Sequence, residues 1–332
     1  MSFKIICTGD VMLGENVHHF KRGIVSRFDG KYPSLISENV REQLSTADML
    51  LMNFEASLAK DNQLKKMTID RAVYVAPVQS LELLKSIKSQ VVVSVANNHF
   101  GQHGTASAKE SIKILESNGI LVTGKNNLPV EIEKNGFRAS IYGVSLVKDN
   151  HFEGSYFKSS YSDLIADLKL SEKSANEVRI ISIHWGEEYF TSENEKQRKL
   201  AGELSAAGFD YIIGHHPHVI QPFSKIGDSS VIYSHGNFIF DQNFSGLTQK
   251  GLVSSISIPG GKTELFISQQ RRFRVTGLKQ VSPEQLEKFC KSAYHPKKPV
   301  MMRIRMKLEL LLKFYELNWP IIQTFTLRMF KK

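Results

Sequence analysis

Seven short apolar runs in the first 235 residues constrain the fold of this chain more than any other feature of its sequence. Most are continuous stretches of Val, Ile and Leu, which are typical of strands covered on both faces. Helical stretches at 77–89 and 105–118 separate some of them. This order predicts an α/β fold. The runs predicted to be strands are Phe3–Thr8, Met49–Met52, Val91–Val95, Phe137–Gly143, Val178–His184, Tyr211–Ile213 and Val231–Ser234.

Two further patterns complete the predicted domain. Leu252–Ile258 and Thr263–Ser268 are joined through Gly260-Gly261 and predict a β-hairpin. The polar segment 148–176 is predicted to be a surface excursion with a helix around 162–169. Residues 1–270 are therefore expected to form one domain.

Polar residues directly follow six of these runs, where each predicted strand ends. Because ligands bind at the carboxyl ends of strands in open α/β sheets, these side chains are expected to converge on one site. The strand-end segments are Gly9-Asp10, Asn53-Phe54-Glu55, Ala96-Asn97-Asn98-His99, His184-Trp185-Gly186, Gly214-His215-His216-Pro217-His218 and His235-Gly236-Asn237.

The residue types at these strand ends favour a divalent metal site. Imidazole suits zinc, iron or manganese, and carboxylates suit hard cations. Acids, Asn and His without thiolate are typical of metal-assisted hydrolysis, often with two metals. Cys7 and Cys290 lie far apart without a CxxC pair, which argues against a disulfide scaffold or a thiolate zinc site.

Each of these residues also has a structural alternative. Asp10 could cap a helix or turn, and Glu55 could pair with a surface Lys. Asn97 and Asn98 could form a turn, and a lone His184 could belong to the core. His216-Pro217-His218 is harder to explain structurally, because two His two residues apart on a loop point the same way. His103 and His215 are left open, and His18, His19, His151 and His295 are expected at the surface.

Positive charge is concentrated at the C-terminus. Residues 271–332 contain 15 basic and four acidic residues, whereas the first 270 are close to neutral. Apolar residues recur at helical spacing after Pro299, so a basic amphipathic helical tail is predicted for 271–332. It could pack on the body, or its segment 299–332 could lie on an anionic membrane surface. The neutral body argues against nucleic acid as a partner.

The start of the chain predicts a cytoplasmic protein. The apolar run at Phe3–Thr8 is short and passes at once into polar residues. A secretory signal needs a longer apolar core and a small-residue cleavage site. A peripheral position at the inner face of the membrane is compatible with the basic tail.

Together these motifs resemble the CapA family of poly-γ-glutamate and capsule synthesis proteins, which have a calcineurin-like metallophosphatase fold. The resemblance runs in order from about residue 3 to 258, and two further segments carry it, Glu187-Glu188-Tyr189 and Gly236-Asn237-Phe238. It implies a two-sheet α/β/β/α sandwich with a C-terminal basic helical extension. It also implies one or two divalent metal ions, with manganese, zinc and iron not distinguished.

The resemblance implies a role for each strand-end residue. Metal ligands would be Asp10, Glu55, Asn98, His184, His216 and His218, with Glu55 in the bridging position and His99 as proton donor. Substrate contacts would come from Asn97, Glu187, His235 and Asn237. Metallophosphatases usually carry a His two residues after the first Asp, and this chain has Met12 there.

These observations predict a metal-dependent hydrolase of the phosphoesterase or acyl-ester/amide type. Its substrate would be a cell-envelope or capsule precursor, in capsule, surface polysaccharide or poly-γ-glutamate synthesis. The alternative, favoured by Met12, is a non-catalytic assembly or export factor of a capsule machine that keeps the fold. A weaker third hypothesis is a ligase-type role, although the chain has no GxxxxGK[ST] phosphate loop.

Overall fold

The computed structural model describes residues 2–16, 19, 21–60 and 73–292. The strands are β1 Phe3–Val11, β2 Met49–Phe54, β3 Ser57–Ala59, β4 Val75–Pro77, β5 Gln90–Ser94, β6 Leu121–Thr123, β7 Val130–Lys134, β8 Phe137–Ser145, β9 Glu177–His184, β10 Tyr211–His215, β11 Phe223–Ile226, β12 Ser229–Ile232, β13 Asn237–Ile239, β14 Lys250–Ile258, β15 Lys262–Arg271 and β16 Arg274–Val281. The α-helices are α1 Ile24–Phe28, α2 Glu38–Leu44, α3 Glu82–Lys85, α4 Gly104–Ser117, α5 Leu164–Asp167, α6 Glu195–Ala206 and α7 Pro283–Ser292.

Most strands belong to two sheets. The first sheet has eight strands in the order β16-β15-β14-β1-β2-β5-β6, and β13 also pairs with β1. The second sheet has six, in the order β11-β12-β10-β9-β8-β7. Strands β1, β2, β5 and β6 are parallel, and so are β8, β9, β10 and β12. The carboxyl ends of the parallel strands of each sheet therefore meet at one edge.

The two sheets pack face to face, and helices cover their outer faces. An apolar cluster between the sheets contains side chains from both, such as Ile5 and Leu51 of the first and Ile180 of the second. A second cluster lies between the first sheet and α2, α3 and α4. A third lies between the second sheet and α5 and α6. This is the predicted α/β/β/α sandwich, so the predicted fold class is confirmed.

Strand burial explains why the sequence patterns are continuous. All six residues of β2 are buried, as are the last seven of β8 and the last six of β9. Consecutive residues of one strand point to opposite faces of the sheet. In β1, Ile5 belongs to the cluster between the sheets and Ile6 to the cluster under the helices. A sheet covered on both faces needs apolar side chains at consecutive positions.

The helical predictions are confirmed to different degrees. The stretch 105–118 corresponds to α4, but 77–89 contains a 3-10 turn at Val78–Leu81 followed by the four-residue α3. The polar excursion carries only α5. The best-defined start is that of α6, where the side chain of Asn194 accepts from the backbone N–H of Gln197 and Gln197 bonds back to Asn194.

The predicted hairpin is present and longer than expected. Strands β14 and β15 pair antiparallel from Lys250 to Ser257, and β16 then pairs with β15. Residues 274–281 thus extend the first sheet, and 283–292 form α7, whose Leu286 and Cys290 join the core between the sheets. The predicted start of the tail at residue 271 is therefore corrected, because residues 274–292 belong to the sandwich.

The amphipathic segment 299–332 lies outside the described residues. Within the residues that are described, no helix has the length and hydropathy that a membrane span requires.

Candidate metal centre

The predicted strand ends meet where the carboxyl edges of the two sheets adjoin. Strand register pairs Asp10 with Asn53 across β1 and β2, and with Asn237 across β1 and β13. In the second sheet, His184 of β9 is paired with His215 of β10. Both sheets therefore present polar side chains at one edge, where the apolar runs end.

Asp10 is fully buried and lies among polar side chains from both sheets. Its Oδ1 accepts a hydrogen bond from Nδ2 of Asn53 at 2.9 Å and lies 3.1 Å from Nδ1 of His215. Its Oδ2 lies 3.3 Å from Nδ1 of His218. Asp10 thus links the first sheet to the loop that follows β10.

Asn53 connects the two buried carboxylates. Its Nδ2 lies 2.9 Å from Oδ1 of Asp10 and 2.7 Å from Oε1 of Glu55. The same nitrogen lies 3.3 Å from Nδ1 of His184. Because an amide nitrogen carries two hydrogens, the two shorter contacts use both of them. Nδ1 of His184 then faces the carboxylates without a proton from Asn53.

Two overlapping groups of ligand atoms result from this packing. One ligand atom from each of Asp10, Glu55 and His184 lies within 4.8 Å of the others, and the same holds for Glu55, His99 and His218. Glu55 belongs to both groups, which is the position that the family resemblance implies for it. Neither group includes His216.

His184 is oriented by Asn98. Nε2 of His184 lies 2.8 Å from Oδ1 of Asn98, so the imidazole donates to the amide oxygen and keeps its Nδ1 toward Glu55 at 3.7 Å. In this arrangement Asn98 supports His184. A ligand role for Asn98 would need its Oδ1 to exchange this bond for the metal.

His99 is held between an aromatic ring and an amide. Its imidazole stacks on Tyr74 with ring centroids 3.8 Å apart and planes at 15°. Nδ1 lies 3.4 Å from Oε1 of Gln102, and Nε2 lies 4.0 Å from Oε2 of Glu55. Burial, followed by the charge on His218, lowers the pKa of His99 to about 3. A neutral imidazole suits a ligand or a base, so its role as proton donor stays a prediction.

The loop after β10 brings His216 and His218 to the site through unusual backbone conformations. Their φ angles are +97° and +57°, in the region that L residues rarely adopt. Tyr189, at φ +69°, donates its backbone N–H to the oxygen of Pro217 at 2.7 Å. Left-handed residues that cluster at one place indicate a local geometry imposed by the surrounding structure.

His216 and His218 differ in their partners. Nδ1 of His218 lies 2.9 Å from Oδ1 of Asn237. Nδ1 of His216 is buried and has no hydrogen-bond partner among the described residues. The His216 ring lies 4.7 Å from the ring of His184, centroid to centroid. His216 is therefore close to the ligand groups and has an unused nitrogen.

Three of the four residues predicted to contact substrate are instead engaged inside the protein. Asn97 donates to Asn53 Oδ1 and to the Phe54 oxygen, and Asn237 donates to the Thr248 oxygen. His235 bonds to Ser254 at 3.0 Å. Since all three are fully buried, they support the site and do not face a substrate. Glu187 is exposed beside the site, and its contact with substrate stays a prediction.

Burial and neighbouring charges shift the pKa values of the buried acids and of His184 in different directions. Burial, reinforced by the charge of Asp10, raises the pKa of Glu55 well above its ordinary value. Burial alone would raise the pKa of Asp10, but hydrogen bonds from His215 and His218 outweigh it and hold that pKa well below its usual range. Burial, then the charge of His216, lowers the pKa of His184 well below its ordinary value.

These residues fit a divalent cation. Glu55 can ionise only against the charge of Asp10, and a cation between the carboxylates would offset that repulsion. Oε2 of Glu55 and Nδ1 of His216 are buried and have no hydrogen-bond partner among the described residues. Neutral imidazole and carboxylate are the ligand types that zinc, manganese and iron accept.

Position 12 supplies no ligand. Met12 is fully buried in the apolar cluster on the outer face of the first sheet. The imidazole that lies closest to Oδ1 of Asp10 instead comes from His215, in the other sheet.

Four residues that sequence reasoning did not assign contribute to the site: Asn53, Tyr74, Glu188 and His215. Asn53 directly follows a predicted strand and His215 comes two residues after one, so their position was a usable signal. Glu188 makes no hydrogen bond to a described residue, and its charge adds to the raised pKa of Glu55. Tyr74 had no sequence signal, because β4 is a three-residue strand.

A family model described as "Bacterial capsule synthesis protein PGA_cap" matches residues 4–242. This range includes all the strand ends described above. The chain belongs to this family. The resemblance predicted from the motifs is thereby confirmed.

Two relatives in this family match over the same share of the chain. The capsule biosynthesis protein CapA of Bacillus anthracis is 27% identical over 261 residues, which cover 74% of this chain and 61% of the relative. The PGA biosynthesis protein CapA of Bacillus subtilis (strain 168) is 27% identical over 259 residues, covering 74% and 65%. The matched region thus spans less than two thirds of the length of either relative.

Among solved structures, the chain is similar to the calcineurin-like phosphoesterase YfkN from Bacillus subtilis. The match has 13% sequence identity and a TM-score of 0.41, and it covers 88% of this chain and 96% of that one. At this score the likeness adds nothing to the geometry described above.

Proposed function

We propose that this chain is a metal-dependent hydrolase that cleaves a phosphate ester, an acyl ester or an amide during synthesis of a capsule or another cell-surface polymer. The observation that carries the proposal is the pair of ligand groups that share Glu55. Family membership supports the pathway, and the strand-end chemistry supports hydrolysis.

The chain's own residues would divide the work. Asp10, Glu55, His184 and His218 would hold the metal, with Asn53 and Asn98 fixing the orientation of the ligands. A bound divalent cation would supply a Lewis acid that polarises a phosphoryl or acyl oxygen and lowers the pKa of water. His99, which is partly exposed beside Glu55, would move a proton at its Nε2. Tyr74, stacked on it, limits its motion.

A second candidate is a non-catalytic assembly or export factor that keeps the fold. The observation that favours it is Met12, which is fully buried where metallophosphatases usually carry a His ligand. In that case one metal or none would suffice, and variants of the ligand groups would fold and still support polymer synthesis in cells.

Substrate and location are part of the proposal. The substrate would be a cell-envelope or capsule precursor, met in the cytoplasm at the inner face of the membrane. The basic segment 299–332 would touch anionic lipid there. Removal of this segment is expected to release the protein from anionic vesicles while its metal content stays the same. If the shortened chain unfolds, the segment is part of the core structure.

Metal content by elemental analysis tests the hydrolase. The purified protein is expected to contain divalent metal, and Glu55→Gln is expected to reduce it because Glu55 belongs to both ligand groups. Glu172→Gln, at an exposed position outside both ligand groups, is the matched control and should keep the metal. Hydrolysis of phosphate and acyl esters should fall with metal content. Full metal content and full activity in Glu55→Gln would contradict the proposal.

A further inference from the structure

A cavity of about 270 Å³ opens beside the candidate metal centre. Its volume lies just below the range of roughly 300–1,000 Å³ that drug-sized ligands occupy, so it suits a smaller group. Asn98 and His216 form the part that adjoins the ligand groups. Lys148, Glu187 and Glu188 also line it, together with Gly186 and Phe190.

Three charged side chains of both signs line this cavity without pairing. Lys148 and Glu187 are exposed, and Glu188 is half-buried. None of the three makes an ion pair or a hydrogen bond to a described residue, although opposite charges share one small space. Charges that are kept apart in a cavity are available to a ligand that carries the complementary charges.

His216, which also lines the cavity, carries one buried polar atom that has no partner in the described part of the chain. His216 is 6% exposed, and its Nδ1 has no hydrogen-bond partner among the described residues. A buried nitrogen in this state costs free energy unless a partner arrives, so a ligand or an ion beside it would stabilise the site.

The cavity walls are held in place by the backbone. Leu146 donates its N–H to the oxygen of His184 at 2.9 Å, which fixes the segment that leads to Lys148. The hydroxyl of Tyr161 accepts from the N–H of Gly186 at 3.2 Å, and Tyr189 donates to Pro217 at 2.7 Å. Lys148 and the two Glu therefore project from positions that the fold determines.

We infer that this cavity selects substrates by a zwitterionic group, with an ammonium held by Glu187 and Glu188 and a carboxylate or phosphate held by Lys148. The inference rests on the proposed function, because the bond to be cleaved would lie at the adjoining ligand groups. It adds the chemical class that decides which precursor enters. A substrate with only one charged group would leave one side of the cavity without a partner.

The test compares three small probes by amide NMR shifts of Gly186 and Phe190 in the full chain. O-phosphoserine carries an ammonium, a carboxylate and a phosphate, phosphoethanolamine lacks the carboxylate, and ethyl phosphate lacks both the ammonium and the carboxylate. O-phosphoserine and phosphoethanolamine, which both pair an ammonium with an anionic group, are expected to bind at least about ten-fold more tightly than ethyl phosphate, since charge-assisted hydrogen bonds add to affinity. Glu187→Gln is expected to remove most of that preference, and Lys148→Met is expected to weaken binding of the probes through their anionic group.

Matched controls are Lys169→Met and Glu172→Gln, which change the same charges at exposed positions that do not line the cavity. Equal binding of the three probes, no shift at the cavity residues, an unchanged preference in Glu187→Gln or unchanged binding in Lys148→Met would overturn the inference. Metal content and ester hydrolysis are measured on the same samples. A protein without metal that still prefers O-phosphoserine would refute the hydrolase and keep the zwitterion pocket. A protein with metal and ester hydrolysis that shows no such preference would keep the hydrolase and refute the zwitterion pocket.

Discussion

Nδ1 of His215 lies 3.1 Å from Oδ1 of Asp10, although the two residues are 205 positions apart in the chain. Both side chains are at most 1% exposed. The contact joins β1 of the first sheet to β10 of the second. It also helps to hold the pKa of Asp10 well below its usual range, against the effect of burial. His215 thus keeps a buried carboxylate ionised at the place where a cation would bind.

Replacement of His215 by Ala is expected to weaken metal binding by about ten-fold or more, because partners that orient a ligand typically contribute 10–100-fold to affinity. Metal titration of the metal-free protein measures this. His103→Ala is the control, since His103 bonds to the Val73 oxygen outside the ligand groups. Unchanged affinity in the His215 variant would mean that Asp10 is oriented by Asn53 and His218 alone.

Asn53→Asp is expected to place a third carboxylate between Asp10 and Glu55. The metal-free protein should lose about 3 kcal/mol of unfolding free energy, because a buried charge would lack a partner. Added divalent metal should recover part of the loss. Urea unfolding with and without manganese measures both effects, and Asn126→Asp, at an exposed position, is the control. A loss that metal does not reduce would speak against a cation at this cluster.

Gly9→Ala is expected to disrupt the sheet beside the site. A Cβ at this position would lie 1.9 Å from the backbone oxygen of Gly236, so β1 and the segment before β13 would have to separate. The expected cost is about 3 kcal/mol or more. Gly202→Ala is the control, because nothing lies within 4 Å of its added Cβ in helix α6, and it should gain about 0.5–1 kcal/mol. Thermal unfolding of both variants checks the contrast.

The ion pair between Glu177 and Arg179 is expected to make stability depend on pH. Its atoms are 2.8 Å apart and both side chains are about 95% buried. Burial alone would raise the pKa of Glu177, but hydrogen bonds from Arg179, the backbone of Ser174 and Ser140, together with the charge of Arg179, outweigh it and the pKa is lowered. This stabilisation is present above the ordinary Glu pKa of about 4.3 and is lost as pH falls through the lower folded pKa.

Glu177→Gln should therefore cost about 1–3 kcal/mol at neutral pH and progressively less in acid. Urea unfolding at several pH values measures the difference between the variant and the natural chain. Glu133→Gln is the control, because Glu133 pairs with Arg138 at the surface and solvent screens that pair. A difference that stays constant through the acid range would exclude the ion pair as its cause.

Much of the fold was predictable because burial on both faces of a sheet leaves a direct trace in the sequence. Runs such as Met49–Met52 of β2 are apolar at consecutive positions, and their ends show where polar side chains begin. Short elements left no such trace. Strands β3 and β4 have three residues each, and Tyr74, which stacks on His99, directly precedes β4.

Residue types also misled where long-range packing decided burial. His19 was expected at the surface, yet it is 6% exposed. Its ring contacts Phe273 at 5.3 Å between centroids, and its Nε2 lies 2.9 Å from Oδ1 of Asn243. Both partners come from more than 200 residues further along the chain, which a local pattern does not reveal.

The sequence by itself determined that polar residues follow buried strands and that carboxylates and imidazoles dominate among them. It also determined membership of the family through the order of those motifs. Only the tertiary structure decided which side chains meet. Asn53 joins two carboxylates, His215 lies against Asp10, and Asn237 supports His218 from inside. The contacts of Asn53 depend on the register of β1 and β2 within the first sheet. The other two pairings join the first sheet to β10 or to the loop that follows it, so they depend on how the sheets pack face to face, which the whole core between them sets.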